Sequence, residues 1–396
     1  MTRVTLLERK GASENRPMSG AHLMATRYLF YSHDGFGLGH VRRNTLIGRA
    51  VLNLDPAARV SLVTGLAVRP EWMRRTARMS VHHVAPLLKA KDGSYRNTDA
   101  PFEVALRERE TDFAELVETE RPAVVVVDRH PYGTAGELRR GLELAKKQGA
   151  VLVLGLRDVL DEPQVVAEEM GGLGWRDVAD IYDDIVVYGR QHFVDHEAEY
   201  GLVKRPTYTG WVVEREPSQN VRRNLLVIAA GGGGDGAAVF ELGARLLADS
   251  PELHGLFAPG PYADMAAVRE ASDRVAGRSN VTTNSAACGP LFARAEAILC
   301  MAGYNSTLEA LSTGQRPILM PRRTPRREQA IRASRLAALG LADVVDEGAD
   351  VAEVAWLLRR PRQLPPNALE SAGIDFDGAA HTALRLRELT LARSTR

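Results

Sequence analysis

Residues Leu225 to Gly236 read LLVIAAGGGGDG. A short apolar run that ends in glycines and passes into an apolar-periodic stretch, Ala237 to Ala248, reads as a buried strand feeding a helix through a tight turn. Consecutive glycines let a ligand approach the backbone, and the N–H groups at a helix start favour negative charge. Gly232, Gly233, Gly234 and Gly236 are therefore candidate phosphate contacts, with a plain strand–helix turn as the alternative. No Lys-Ser/Thr pair follows, so the loop is not an ATPase-type P-loop.

The same device occurs earlier in the chain. Arg27 to Ser32 (RYLFYS) runs into Gly35, Gly37 and Gly39, followed by His40. Further β-rich runs at Val60 to Thr64, Val81 to Val84, Ala123 to Val127, Val151 to Leu156 and Asp184 to Tyr188 complete a first series, with Gly136 to Gln148 as a helix. His254 to Ala258, Ala297 to Met301 and Arg316 to Met320 extend the second. Two successive series of alternating strands and helices predict an α/β chain of two Rossmann-like domains facing a cleft. The expected boundaries are a disordered leader over 1–25, a first domain over 26–212, a polar linker over 213–223 and a second domain over 224–372. Residues 373–396 hold a Leu/Arg-rich amphipathic helix able to pack back on the first domain.

Composition narrows the function. Lys+Arg 51 against Asp+Glu 50 leaves no basic excess of the kind that tracks nucleic acid, so nucleic acid is not expected as partner. The run Arg322, Arg323, Arg326, Arg327 reads first as a solvated face. Cys288 and Cys300 sit beside apolar runs as buried thiols, and two cysteines cannot build a disulfide scaffold. No apolar stretch approaches the ~20 residues needed to span a bilayer, and the first 25 residues lack a signal peptide's apolar run, so a cytoplasmic location is expected.

His40, at the mouth of its glycine loop, can take a proton from an attacking hydroxyl or can serve as a helix cap. Asp128 and Asp158 stand just past strand ends, where α/β proteins build their sites. In Gly303-Tyr304-Asn305-Ser306, followed by Glu309, the spacing of Ser306 and Glu309 fits a capping box. The same helix start can meet a phosphate, while Glu309 offers a carboxylate able to accept from both ribose hydroxyls. Glu328 and Gln329 follow a strand and suit sugar hydroxyls. Asp183-Asp184, an acidic pair of possible metal-binding type, reads better as the end of a helix.

These stretches resemble the MurG-like glycosyltransferases, the family of the peptidoglycan N-acetylglucosaminyltransferase, and more closely a branch of predicted glycosyltransferases within it. GFGLGHVRRN (Gly35 to Asn44), VVVVDRHPYG (Val124 to Gly133), LGLRDVLDEP (Leu154 to Pro163), YTGWV (Tyr208 to Val212), AGYNSTLEAL (Ala302 to Leu311) and PRRTPRREQAIRA (Pro321 to Ala333) carry the similarity. The resemblance implies a GT-B fold. It makes His40 a candidate general base, Gly232 to Gly236 a diphosphate loop, Glu309 the ribose ligand, and Glu328 with Gln329 the sugar-recognising pair. Where the family has two glutamines this chain has Glu328, which puts an N-acetylglucosamine donor in doubt. The family's diphosphate arginine has no clear counterpart here, Arg215 being only nearby.

The expectation is inverting transfer from a nucleotide-diphosphate sugar, with uridine the favoured base. The acceptor hydroxyl would belong to a natural product, a lipid-linked sugar or a glycan. The nucleotide sugar is co-substrate, and neither cofactor nor metal is expected. The polar, arginine-rich segment Leu87 to Arg109 is an expected acceptor surface or a mobile loop. The same scaffold would serve a nucleotide-sugar hydrolase, a 2-epimerase or a non-catalytic nucleotide-sugar-binding protein.

Overall fold

A computed structural model describes residues 25–33, 38–66, 70–89, 95–97, 100–170, 174–217, 220–232, 234–282 and 287–394. The leader, Gly35, Gly37, Lys91 and Gly233 lie outside the described residues, apart from Ala25 of the leader. In the first half the strands are β1 (Arg27–Ser32), β2 (Arg59–Thr64), β3 (Met79–His83), the antiparallel pair β4 (Leu88–Lys89) and β5 (Tyr95–Arg96), then β6 (Val124–Asp128), β7 (Val151–Arg157), β8 (Asp184–Tyr188) and β9 (Thr207–Tyr208). Seven of them form one parallel sheet in the order β3-β2-β1-β6-β7-β8-β9. In the second half β10 (Leu225–Ala229), β11 (His254–Ala258), β12 (Ser279–Val281), β13 (Ala297–Cys300), β14 (Ile318–Leu319) and β15 (Asp343–Val344) form a six-stranded parallel sheet, β12-β11-β10-β13-β14-β15.

Each sheet grows to one side of its first strand and then crosses to the other, so the switch points lie between β1 and β6 and between β10 and β13. A crevice opens at such a point, at the carboxyl ends of the strands. β6 is buried along its whole length because helices cover both faces of a parallel sheet, which is why its sequence is an unbroken valine run. The helices that leave the two first strands, Gly39–Leu54 and Ala237–Asp249, begin at the crevice.

Three edge strands, β9, β12 and β15, escape the sequence pattern, so β8 does not close the first series. Each is only two or three residues long, too short for an apolar run to stand out. The second-half strand expected over Arg316 to Met320 shrinks to Ile318–Leu319. The segment Leu87 to Arg109 is not one loop: its last part enters the helix Phe102–Glu120, where Arg109 is fully buried.

The helix Gly378–Ser394 lies on the helix Gly39–Leu54. Its Arg385 and Arg393 pair with Asp184 at 2.8 Å and Asp183 at 3.0 Å, which gives both members of that acidic pair a cationic partner. One apolar core fills the first domain and continues through Trp211, Val212 and Tyr304 to the near face of the second sheet. A second core lies beneath the helix Ala237–Asp249.

Candidate active site in the interdomain cleft

The N-cap of the helix Gly39–Leu54 is Leu38, and its side chain makes no cap. His40 therefore has a different use. Its Nδ1 faces Asp128 Oδ1 at 3.3 Å and Arg43 Nη2 at 3.1 Å, and its ring packs edge-on against His33 at 4.5 Å. Asp128, the last residue of β6, is completely buried and accepts Arg43 Nη2 at 2.7 and 2.5 Å. Burial pushes the Asp128 carboxyl up, but Arg43 and His40 pull it below the ordinary carboxylate range. It is thus a carboxylate, placed to stabilise an imidazolium at His40. Burial and their cationic neighbourhood hold His33 and His130 well below the ordinary histidine range, so the rings around His40 are neutral.

Across the cleft a cavity of about 100 Å³ is walled by Gly231, Gly232, Asn305, Ser306 and Glu309 from the second domain, and by Gly39 and Arg42 from the first. Gly231 has φ +75°, a conformation that favours glycine. A Cβ on Gly232 would lie 3.2 Å from the Leu38 backbone nitrogen, so the two glycine loops abut. The expected phosphate residues divide here. Gly232 lines the cavity, Gly234 is exposed, and Gly236 is buried as the N-cap of the helix Ala237–Asp249.

The helix Tyr304–Ser312 is capped by Gly303 without any side-chain bond, so the capping box is not formed. Glu309 reaches elsewhere: Oε2 accepts the Cys288 N–H at 2.7 Å, and Oε1 pairs with Arg42 Nη1 at 2.9 Å. Burial raises its carboxyl above the usual range, an effect that Arg42 and the N–H groups of Cys288 and Gly289 only partly offset. Asn305 and Ser306 face the cavity, and Asn305 Nδ2 donates to Gly39 O at 3.4 Å, tying the two walls together. Tyr304 turns away from it. Its hydroxyl donates to Tyr188 O at 3.1 Å and accepts the Val212 N–H at 3.0 Å, while its ring lies between Arg43 and Arg332.

Beside the cavity, Arg322 joins Asp235 of the glycine loop at 2.6 Å to Glu328 at 2.7 Å, and its backbone N–H donates to Gln329 Oε1 at 3.1 Å. Glu328 Oε2 and Arg157 Nε are buried without hydrogen-bond partners among the described residues. Burial would raise the Glu328 carboxyl, and Arg157 above all, then Arg322, brings it below the usual range instead. A carboxylate oxygen and a guanidinium N–H left unmatched in one corner suit a ligand that both donates and accepts, as a hydroxyl does.

Asp158 occupies another kind of place. It is buried with Arg332, which reaches its carboxylate at 2.7 and 3.0 Å, and it also accepts Trp211 Nε1 at 3.1 Å and Val159 N–H at 2.7 Å. This is a buried ion pair between the domains, with both carboxylate oxygens already engaged. Of the basic run, Arg323 and Arg327 are exposed as expected, while Arg322 and Arg326 are partly buried. Arg326 bonds Asp161 and Glu169, Arg327 pairs with Glu162 at 2.7 Å, and Arg335 pairs with Glu199 at 2.6 Å, all in the first domain. Sequence reasoning missed these cross-domain arginines, and Arg42 and Arg43 as well. The only trace in the sequence was the clustering of arginine in the two quoted motifs.

No protein-family model and no curated protein matches the sequence. Solved structures match its fold along nearly the whole length. MurG of Acinetobacter baumannii superposes with a TM-score of 0.61 at 11% identity over 92% of this chain and 99% of that one. The chain has the GT-B fold. A UDP-glucosyltransferase from Polygonum tinctorium capable of glucosylating indoxyl gives 0.61 at 15% identity, covering 94% and 99%. Medicago truncatula UGT71G1, complexed with UDP-glucose, gives 0.57 at 10% identity, covering 93% and 98%.

Proposed function

We propose that this chain is a glycosyltransferase that moves a sugar from a nucleoside-diphosphate sugar, uridine being the favoured base, to a hydroxyl acceptor with inversion and without a metal. One observation carries the reading. A histidine backed by a buried carboxylate stands on one wall of the cleft, and a cavity of glycine N–H groups, a helix start and Glu309 stands on the other. Neighbours of the same fold include one complexed with UDP-glucose, which supports the donor class.

In this reading the acceptor oxygen attacks the anomeric carbon while His40 takes its proton. The bond from the anomeric carbon to the phosphate oxygen breaks, and the nucleoside diphosphate leaves with the electron pair. Its growing charge meets the N–H groups of Gly231 and Gly232 and the positive end of the helix Tyr304–Ser312. Asp128 steadies the imidazolium until the proton is released. Glu309 accepts from the ribose, and Glu328, Gln329 and Arg157 face the sugar.

A panel of nucleotide sugars, incubated with and without candidate acceptors and read by nucleotide release, tests the proposal. Release that depends on acceptor supports transfer. Release into water alone would make the chain a hydrolase, interconversion of the sugar without release an epimerase, and binding without turnover a regulator.

A further inference from the structure

Arg42 belongs to the first domain, yet its guanidinium is buried in the wall of the cavity that the reading above gives to the nucleotide. There it holds Glu309 Oε1 at 2.9 Å, the oxygen left over when Oε2 has accepted the Cys288 N–H. Arg42 covers the Oε1 side of Glu309 within this cavity, so a ribose that binds Glu309 on that side takes the place of Arg42. A guanidinium displaced within this half-open cavity is favoured by a new anionic partner, because a partly buried charge left unpaired is costly. The surfaces on which a diphosphate would lie, Gly231-Gly232 and Asn305-Ser306, line the same cavity. A guanidinium fork matches phosphate oxygens in geometry as well as in charge.

We propose that Arg42 exchanges partners: it guards Glu309 in the empty protein and, once the ribose has taken Glu309, clamps the donor's diphosphate from the facing domain. Arg42 thereby becomes a catalytic residue, supplying positive charge to the leaving group. It also links donor binding to the placement of His40, two residues away in the same helix. The inference rests on the nucleotide-sugar reading of the cleft and adds to it a cation from the opposite wall.

The test compares nucleosides with their diphosphates. Binding of uridine, thymidine, guanosine and adenosine, and of the four matching nucleoside diphosphates, is measured by calorimetry on the whole protein and on Arg42→Ala and Arg42→Lys. In the wild type one base gives a diphosphate that binds more tightly than its nucleoside. In Arg42→Ala the nucleoside binds as well or better, since Glu309 is no longer occupied, while the advantage of the diphosphate falls about tenfold or more. Arg42→Lys keeps part of that advantage, and it carries the test if the alanine variant does not fold. An unchanged diphosphate advantage in the folded variants overturns the proposal and leaves Arg42 as a domain contact. Equal tightening of nucleoside and diphosphate also overturns it, making Arg42 a plug only. If no nucleotide binds the wild-type protein, the donor reading itself fails, and that outcome is distinct from the other two.

Discussion

Removing the charge of Asp158 tests whether that residue is a base or a structural pair. Asp158 and Arg332 are each 1% exposed, and Arg332 has one other hydrogen-bond partner, Ala302 O at 2.9 Å. Asp158→Ala strands a buried guanidinium, a loss of about 3–5 kcal/mol for a broken buried pair. At roughly 2–4 °C per kcal/mol for domains of this size, the melting temperature should fall on the order of 10 °C. The double variant Asp158→Asn/Arg332→Met removes both charges and keeps an acceptor for Trp211, so it should recover most of the loss. The pH dependence has a definite sign. The folded pKa of Asp158 lies below its unfolded value near 3.9, so the pair's stabilisation is full above about pH 4 and fades as pH falls through the folded pKa. Calorimetric melts from pH 7 downward should show the Asp158→Ala deficit shrinking in that acid window. Turnover decides the role. A structural pair leaves the double variant's kcat within a few-fold of wild type, whereas a loss of 10²-fold or more in a double variant that melts normally would make Asp158 catalytic and refute the reasoning.

His40→Ala should lower kcat by about 10²–10⁴-fold and change the donor Kd only a few-fold. A kcat within a few-fold of wild type would move the base elsewhere. Glu309→Gln should raise the nucleotide Kd about tenfold, from the loss of one charged hydrogen-bond pair, and an unchanged Kd in calorimetry would remove the ribose role. Activity should persist in excess EDTA, because in the proposed reaction N–H groups, a helix start and Arg42 would meet the leaving group. Loss restored by Mg²⁺ or Mn²⁺ would bring Asp183 and Asp184 back as ligands despite their arginine partners.

How much of this was legible varied with the range of the interaction concerned. β1, β8, β10 and β11 match their sequence boundaries because each is a long apolar run that meets a turn residue. β9 and β15 become strands by pairing at a sheet edge, which two residues cannot announce. Glycine loops were legible as loops, but which glycine lines the cavity depends on where Leu38 of the other domain comes to rest. Ser306 and Glu309 have capping-box spacing, and the box is absent because the helix begins earlier, with Gly303 as its N-cap, which puts Ser306 inside it. The partner of Asp158 was illegible for a similar reason. A strand-end aspartate looks like a base until its partner, 174 residues away, is placed against it. Arg332 had only its place in an arginine-rich motif as signal, since an arginine in a helix is ordinary.

The cross-domain ion pairs are not equivalent, and the difference bears on how a ligand enters. Arg327–Glu162 and Arg335–Glu199 are a third to a half exposed, so each contributes about 0–1 kcal/mol and water replaces either partner readily. Arg332–Asp158 and Arg42–Glu309 are buried, and separating either pair exposes it to the full penalty unless something takes the vacated place. A nucleotide sugar offers hydroxyls to a carboxylate and phosphate oxygens to a guanidinium, so it can satisfy both halves of Arg42–Glu309. It has nothing comparable for Arg332–Asp158, which Trp211 and the continuous apolar core around Tyr304 already enclose. The two buried pairs thus divide the interface. One side is closed by a pair with no replacement partner in a nucleotide sugar, and the other by a contact that the proposed donor would be chemically equipped to replace.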